Sequence, residues 1–296
     1  MIVGLVLLAG GAAAGVFGSL LGLGGGILIV PLLTLGFGLP LREAVAISLV
    51  SVIVTSSASA AVYLQRHVAN LRLGMTLELF SAIGALVGGL VAFMINERLL
   101  AGLFAALLVW VAVSMVRRKD PPPARVSSAP TPVLPAAASI TPVAPLQADA
   151  VGDQPVAGQA PGSFVDGLSG PGYHVHSLPT GAVGSVFAGL NSALLGVGGG
   201  IIKVPVMHLF MGVPLRVSTA TSNMMMGITA TASAVIYLLR DTIDPYVAGP
   251  IALGVFVGAS MGSRVAHRID IRILRWLFVA VLAYTAFQMA RRALGL

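Results

Sequence analysis

Gly22-Leu23-Gly24-Gly25-Gly26 runs into Ile27-Leu28-Ile29-Val30-Pro31, and 174 positions later Gly196-Val197-Gly198-Gly199-Gly200 runs into Ile201-Ile202-Lys203-Val204-Pro205. Working outward, Pro40 returns as Pro214, Arg42 as Arg216, Ser48 as Ser222 and Tyr63 as Tyr237. Gly84 returns as Gly258, Gly88 as Gly262 and Arg98 as Arg272. One offset held without a gap from residue 22 to residue 100 marks a duplicated unit rather than chance composition.

The 296 residues are 57% hydrophobic and only 9% charged, and the mean hydropathy is +0.97. Soluble domains carry roughly 25% charged residues, so composition alone assigns this chain to the membrane. The absence of cysteine excludes disulfides and thiolate chemistry. The formal charge of +7 comes almost wholly from arginines at the ends of apolar segments. Basic charge placed there sets topology and meets lipid headgroups; it is not a nucleic-acid footprint. Met1-Ile2-Val3 lacks the basic stretch of a signal peptide, so the first apolar segment is expected to be retained.

Apolar stretches fall at 2–20, 27–39, 44–64, 74–95 and 99–116, then at 180–195, 201–213, 218–239, 246–263 and 274–290. With about 20 residues needed to span, six of these are comfortable spans and the second of each half is short. The glycine cluster before each short segment breaks a helix. Irregular backbone at membrane depth survives only inside protein or along a wet cavity. The expected fold is therefore an all-α polytopic membrane protein of two repeats, each a Gly-broken helical pair plus three spanning helices. Residues 1–116 form the first transmembrane repeat, 117–179 a Pro/Ala-rich cytoplasmic linker opened by Asp120-Pro121-Pro122-Pro123, and 180–296 the second repeat. Ser163-Phe164-Val165 and Tyr173-His174-Val175-His176, at the linker's end, are expected to form a small hairpin.

Charge places the strongest basic loops after the fifth segment (Arg117, Arg118, Lys119, Arg125) and after the ninth (Arg264, Arg268, Arg272, Arg275). These loops are one span out of step in the two repeats. Putting both in the cytoplasm requires the halves to be inverted, as does an odd number of segments per half. Arg66 and Arg72 agree with that scheme, while Arg291 and Arg292 oppose it weakly.

Duplicated, inverted halves in an apolar chain point to a transporter, whose substrate sits where the halves meet. Successive glycines let backbone N–H groups converge on an anion, and helix starts near Ile27 and Ile201 add partial positive charge. Gly24, Gly25, Gly26, Gly198, Gly199 and Gly200 are the candidate cradle; close helix packing through small residues is the plainer reading of any one of them. Lys203, one of two lysines, stands inside an apolar run where a charge is costly unless it is paired or wet. It either serves the site or snorkels to an interface, and its repeat mate is Ile29. A hydroxyl stripe, Ser48, Ser51, Thr55, Ser59 and Tyr63, returns as Ser222, Thr229, Ser233 and Tyr237. Ser48, Ser222 and Asn223 are the members assigned to substrate. Asn191, whose mate is Phe17, needs a partner within the protein. Glu78 is either a proton relay or, the plainer reading, a boundary carboxylate near Arg72. His208 either lines a cavity or, more plainly, ends a solvated helix; His174 with His176 are too few ligands for a metal. No P-loop, Ser-His-Asp set or H-E-x-x-H occurs, so no enzyme, cofactor or metal is expected.

Leu23-Gly24-Gly25-Gly26 with Val30-Pro31, and Val197-Gly198-Gly199-Gly200 with Val204-Pro205, resemble the signature of the TauE/SafE sulfite exporter family. The similarity extends to Gly38-Leu39-Pro40, Gly212-Val213-Pro214 and Ala220-Thr221-Ser222, and covers nearly all of the chain outside 117–179. The first copy departs from it, with Ala46-Ile47-Ser48 where the second has Ala220-Thr221-Ser222. The resemblance implies a bacterial cytoplasmic-membrane protein exporting sulfite, a small organosulfonate or a related anion. Direction comes from the resemblance alone; coupling and oligomeric state are not set by these residues. The competing reading is a non-transporting membrane scaffold or sensor using the cytoplasmic linker.

Overall fold

The computed structural model describes residues 2–21, 25–65, 69–117, 168–170, 173–265 and 271–294. Gly24, Arg66, most of the 117–179 segment with Ser163-Phe164-Val165, and Arg268 lie outside these residues. The described elements are helical: α1 (Ile2–Leu21), α2 (Gly26–Gly36), α3 (Leu41–Gln65), α4 (Leu71–Met94) and α5 (Glu97–Arg117), then α6 (Leu178–Leu195), α7 (Gly200–Phe210), α8 (Leu215–Leu239), α9 (Pro245–Val265) and α10 (Ile271–Leu294). The starts of α7 to α10 lie at the same 174-residue offset from the starts of α2 to α5. The duplication is thus one of elements as well as letters.

Local chemistry sets the breaks. α6 stops at Gly196, which takes a left-handed φ of 70° and returns its N–H to the Ser192 carbonyl at 2.8 Å. α2 and α7 start after Gly25 (φ 71°) and Gly199 (φ 72°), conformations that glycine adopts without strain. Each runs as an α-helix only to its proline, Pro31 or Pro205, and then widens to a π-helical turn over Leu32–Gly36 or Val206–Phe210. Proline has no N–H and crowds the carbonyl four residues back, so the wider turn relieves the ladder it interrupts. α4 is capped by Asn70, whose Oδ1 accepts from Leu73 N at 3.0 Å.

Packing crosses between the repeats. α1 lies on α9, α4 on α6, α3 on α8 and α5 on α10. Exchanging the repeats converts the α1–α9 contact into the α6–α4 contact, so the pairings are reciprocal. Gly11 and Gly15 face the Ile251 and Val255 backbone, while Gly254 and Gly258 face Leu8 and Ala12. At the related seam Gly84 and Gly88 face Val186 and Leu190. A Cβ at these positions would run into the facing backbone, which is small-residue packing between membrane helices. α3 and α8 meet where Ser56 Oγ of α3 donates to the Asn223 carbonyl of α8. On α4, Met75, Leu79, Ile83, Leu86 and Leu90 form an exposed apolar stripe, and Leu77, Glu78, Ser81, Ala85 and Gly88 are buried on the other side. A stripe of that kind faces lipid.

Among the described residues, five helices are long and apolar enough to cross a membrane. One arm of the expected hairpin, Ser163-Phe164-Val165, lies outside the described residues, and Gly170 forms an isolated antiparallel bridge with Tyr173. Tyr173 is buried with Leu168 and Val175 beside Leu73, Met207 and Met211, and its hydroxyl accepts from Asn70 Nδ2 at 2.8 Å.

Candidate functional site

The first break abuts α3, and the second abuts both α3 and α8. Ser48 Oγ lies 2.6 Å from the Gly196 carbonyl and 3.1 Å from the Gly26 carbonyl, so one hydroxyl ties the end of α6 to the start of α2. A Cβ at Gly26 would come within 2.8 Å of Ser48 Oγ; one at Gly200 would lie 3.4 Å from Ser222 Oγ. The repeat-related serines thus face the repeat-related helix starts. Gly198 packs on Val52 and Met226, and Gly199 on the Ala188 carbonyl. Neither helix start has a side-chain cap. By position in the helix, the first N–H groups of α2 and α7 have no intrahelical acceptor, and partial positive charge collects there.

Three hydroxyls of the stripe are spent on their own helices. Ser51 donates to Ile47 O, Thr55 to Ser51 O and Ser233 to Thr229 O, four residues back in each case. Tyr237 donates to Ala193 O at 2.9 Å. Ser222 differs: its Oγ is buried and has no hydrogen-bond partner among the described residues, and the same holds for Ser192 Oγ. Buried hydroxyls are nearly always satisfied, so two orphans flanking one glycine break are unusual. Asn223 is buried beside Ser222, and its backbone carbonyl accepts from Ser56 Oγ at 2.5 Å.

Lys203 neither snorkels nor stands alone. Its side chain is 1% exposed and its Nζ lies 3.0 Å from Glu78 Oε2. Nζ also donates to Thr229 Oγ1 at 2.6 Å, and that hydroxyl reaches Glu78 Oε1 at 2.6 Å. Glu78 is therefore no boundary carboxylate. Arg72 sits exposed on the preceding turns, whereas Glu78 points inward to a cation 125 residues away in sequence. Sequence reasoning missed this partner, though an unpaired lysine in an apolar run was the signal that a carboxylate had to be sought. Ser192 was missed too; its repeat mate is Gly18, so the second copy's added polarity was visible there. His208 is exposed, with Nδ1 at 2.9 Å from the Val213 carbonyl.

Two cavities occupy repeat-related places. One of about 480 Å³ lies between α1, α2 and α10, with Phe17, Leu28 and Val281 in its wall. The positions related to these three, Asn191, Ile202 and Leu107, line a cavity of about 10 Å³ beside Ser192 and Gly199. That is room for one water at most. The first is almost wholly apolar in its lining; the second contains the amide, the orphan hydroxyl and the glycine break.

A family model described as "Sulfite exporter TauE/SafE" matches residues 7–289. The chain is 22% identical over 291 residues to a protein of Bacillus subtilis (strain 168) named "Probable membrane transporter protein YunE", covering 96% of each. It is 27% identical over 304 residues to "Probable membrane transporter protein MamO" of Paramagnetospirillum magneticum (strain ATCC 700264 / AMB-1), covering 97% of this chain and 44% of that one. No solved structure matches.

Proposed function

This chain belongs to the sulfite exporter TauE/SafE family and is a multi-pass membrane transporter, and on that premise we propose that it exports sulfite or a related small sulfur oxyanion or organosulfonate by alternating access. The substrate binds between the glycine breaks, against the first N–H groups of α2 and α7, with Ser48, Ser222, Asn223 and Lys203 around it. The observation that carries this reading is the symmetry of the two uncapped helix starts, each facing a related serine on α3 or α8. Donors without charge strip part of an anion's hydration and replace it with backbone and hydroxyl hydrogen bonds.

The repeats are inverted in this proposal, as the basic loops one span out of step in the two copies require. Alternating access then exchanges the conformations of the two halves. The unequal sizes of the two related cavities, about 480 and 10 Å³, support that exchange. At the second break there is no room for an oxyanion of four or more heavy atoms, which fits a closed state. Efflux of sulfite, thiosulfate, sulfate and methanesulfonate from proteoliposomes tests the proposal. At least one is expected to leave faster than from protein-free liposomes and to saturate; none doing so contradicts it.

A further inference from the structure

Resting on the reading of Lys203 as part of an anion site, we propose that Glu78 is the proton-binding residue that couples anion movement to protons. Three helices meet at this pair: Glu78 on α4, Lys203 on α7 and Thr229 on α8. As described, the carboxylate neutralises the ammonium and Thr229 holds both. An anion that takes the ammonium for itself leaves the carboxylate as a second, unbalanced negative charge. Burying an unpaired charge costs several kcal/mol.

A proton resolves the conflict. The anion pairs with the ammonium and Glu78 takes one proton from the same aqueous side, becoming a neutral carboxylic acid. The only covalent change is the new O–H bond. The site has zero net charge before and after for a monovalent anion. On release the anion and the proton leave together, and the Glu78–Lys203 pair re-forms.

Nothing else described nearby can take that role. On α4, Arg72 is exposed near the helix start; α6 has no titratable side chain; α8 adds Arg216 in its first turn and Tyr237, whose hydroxyl is given to Ala193. On α7, His208 is exposed and its Nδ1 is held at the Val213 carbonyl. Lys203 is the charge that faces Glu78 among the described residues. The repeat mates of the pair are Ala252 and Ile29, so the other copy carries no ionisable side chain at either position.

The full chain in proteoliposomes with a trapped pH dye tests this, with methanesulfonate as probe because its acid is strong and brings no proton of its own. A methanesulfonate gradient is expected to move one proton per anion in the same direction, with flux insensitive to an imposed potential. Glu78→Gln, similar in shape and permanently neutral, leaves the Lys203 ammonium without its carboxylate. It is therefore purified and reconstituted with methanesulfonate present to pair with that ammonium, and is expected to keep anion exchange, lose the proton movement and become sensitive to potential. The double variant Glu78→Gln with Lys203→Gln, which removes both charges together, is expected to fold and carry no anion. Wild-type anion flux without protons overturns the inference and leaves the transport reading standing. So does proton movement persisting in Glu78→Gln. Anion flux in the double variant reduces the pair to a strut. Failure of the wild type to carry methanesulfonate, sulfite, sulfate or thiosulfate overturns the transport reading and this inference with it.

Discussion

Ser48 and Ser222 occupy the same place in two copies and have different jobs. Ser48 Oγ lies between the Gly26 and Gly196 carbonyls, while Ser222 Oγ is buried without a partner among the described residues. Ser48→Ala should therefore lower stability by about 1–3 kcal/mol, the usual loss when buried groups lose their hydrogen bond. Ser222→Ala removes no such bond and should leave the thermal midpoint unchanged; melting of the two purified variants in detergent checks both. Lys203→Ala leaves Glu78 buried and unpaired, which typically destabilises by about 3–5 kcal/mol. Thermal unfolding of that variant should show a large drop, much of it recovered when Glu78→Gln is added. At this scale the sequence was half legible. The serines, glycines and Lys203 stood out because the repeat gives each position a mate for comparison. Glu78 did not, because its cation is remote in sequence while Arg72 offered a nearer explanation.

The helices were legible nearly to their ends, since glycine and proline punctuate both copies alike. The π-helical turns after Pro31 and Pro205 were not, because hydropathy has no signal for a wider turn. Nor did the repeat alone show that α1 packs on α9 and α6 on α4. Those seams depend on glycine. Gly258 faces the Ala12 backbone and Gly84 the Val186 backbone, with no space for a side chain. Gly258→Leu or Gly84→Leu should separate the helices and abolish monodisperse protein on size exclusion. Gly249→Ala, where a Cβ meets nothing within 4 Å, should elute as wild type.

At the scale of the whole molecule, the two copies pack helix against helix, and their related cavities differ in size. Exchange of conformations between halves predicts opposite responses at repeat mates such as Leu28 and Ile202. The chain has no cysteine, so single-cysteine variants at these positions report cleanly. A small thiol reagent should label Leu28→Cys faster than Ile202→Cys in the ligand-free protein. A transported anion should narrow or reverse that difference. Labelling rates that keep their order under every condition would argue against exchange.

Kinetics of anion efflux from proteoliposomes bearing wild type or Ser222→Ala bring these scales together at one atom. A charge-assisted hydrogen bond contributes about 1.5–3 kcal/mol, so removing it from the bound anion should raise KM by about tenfold to a hundredfold while the protein melts as wild type. An unchanged KM in a normally folded Ser222→Ala protein would show that the anion does not bind at the glycine break.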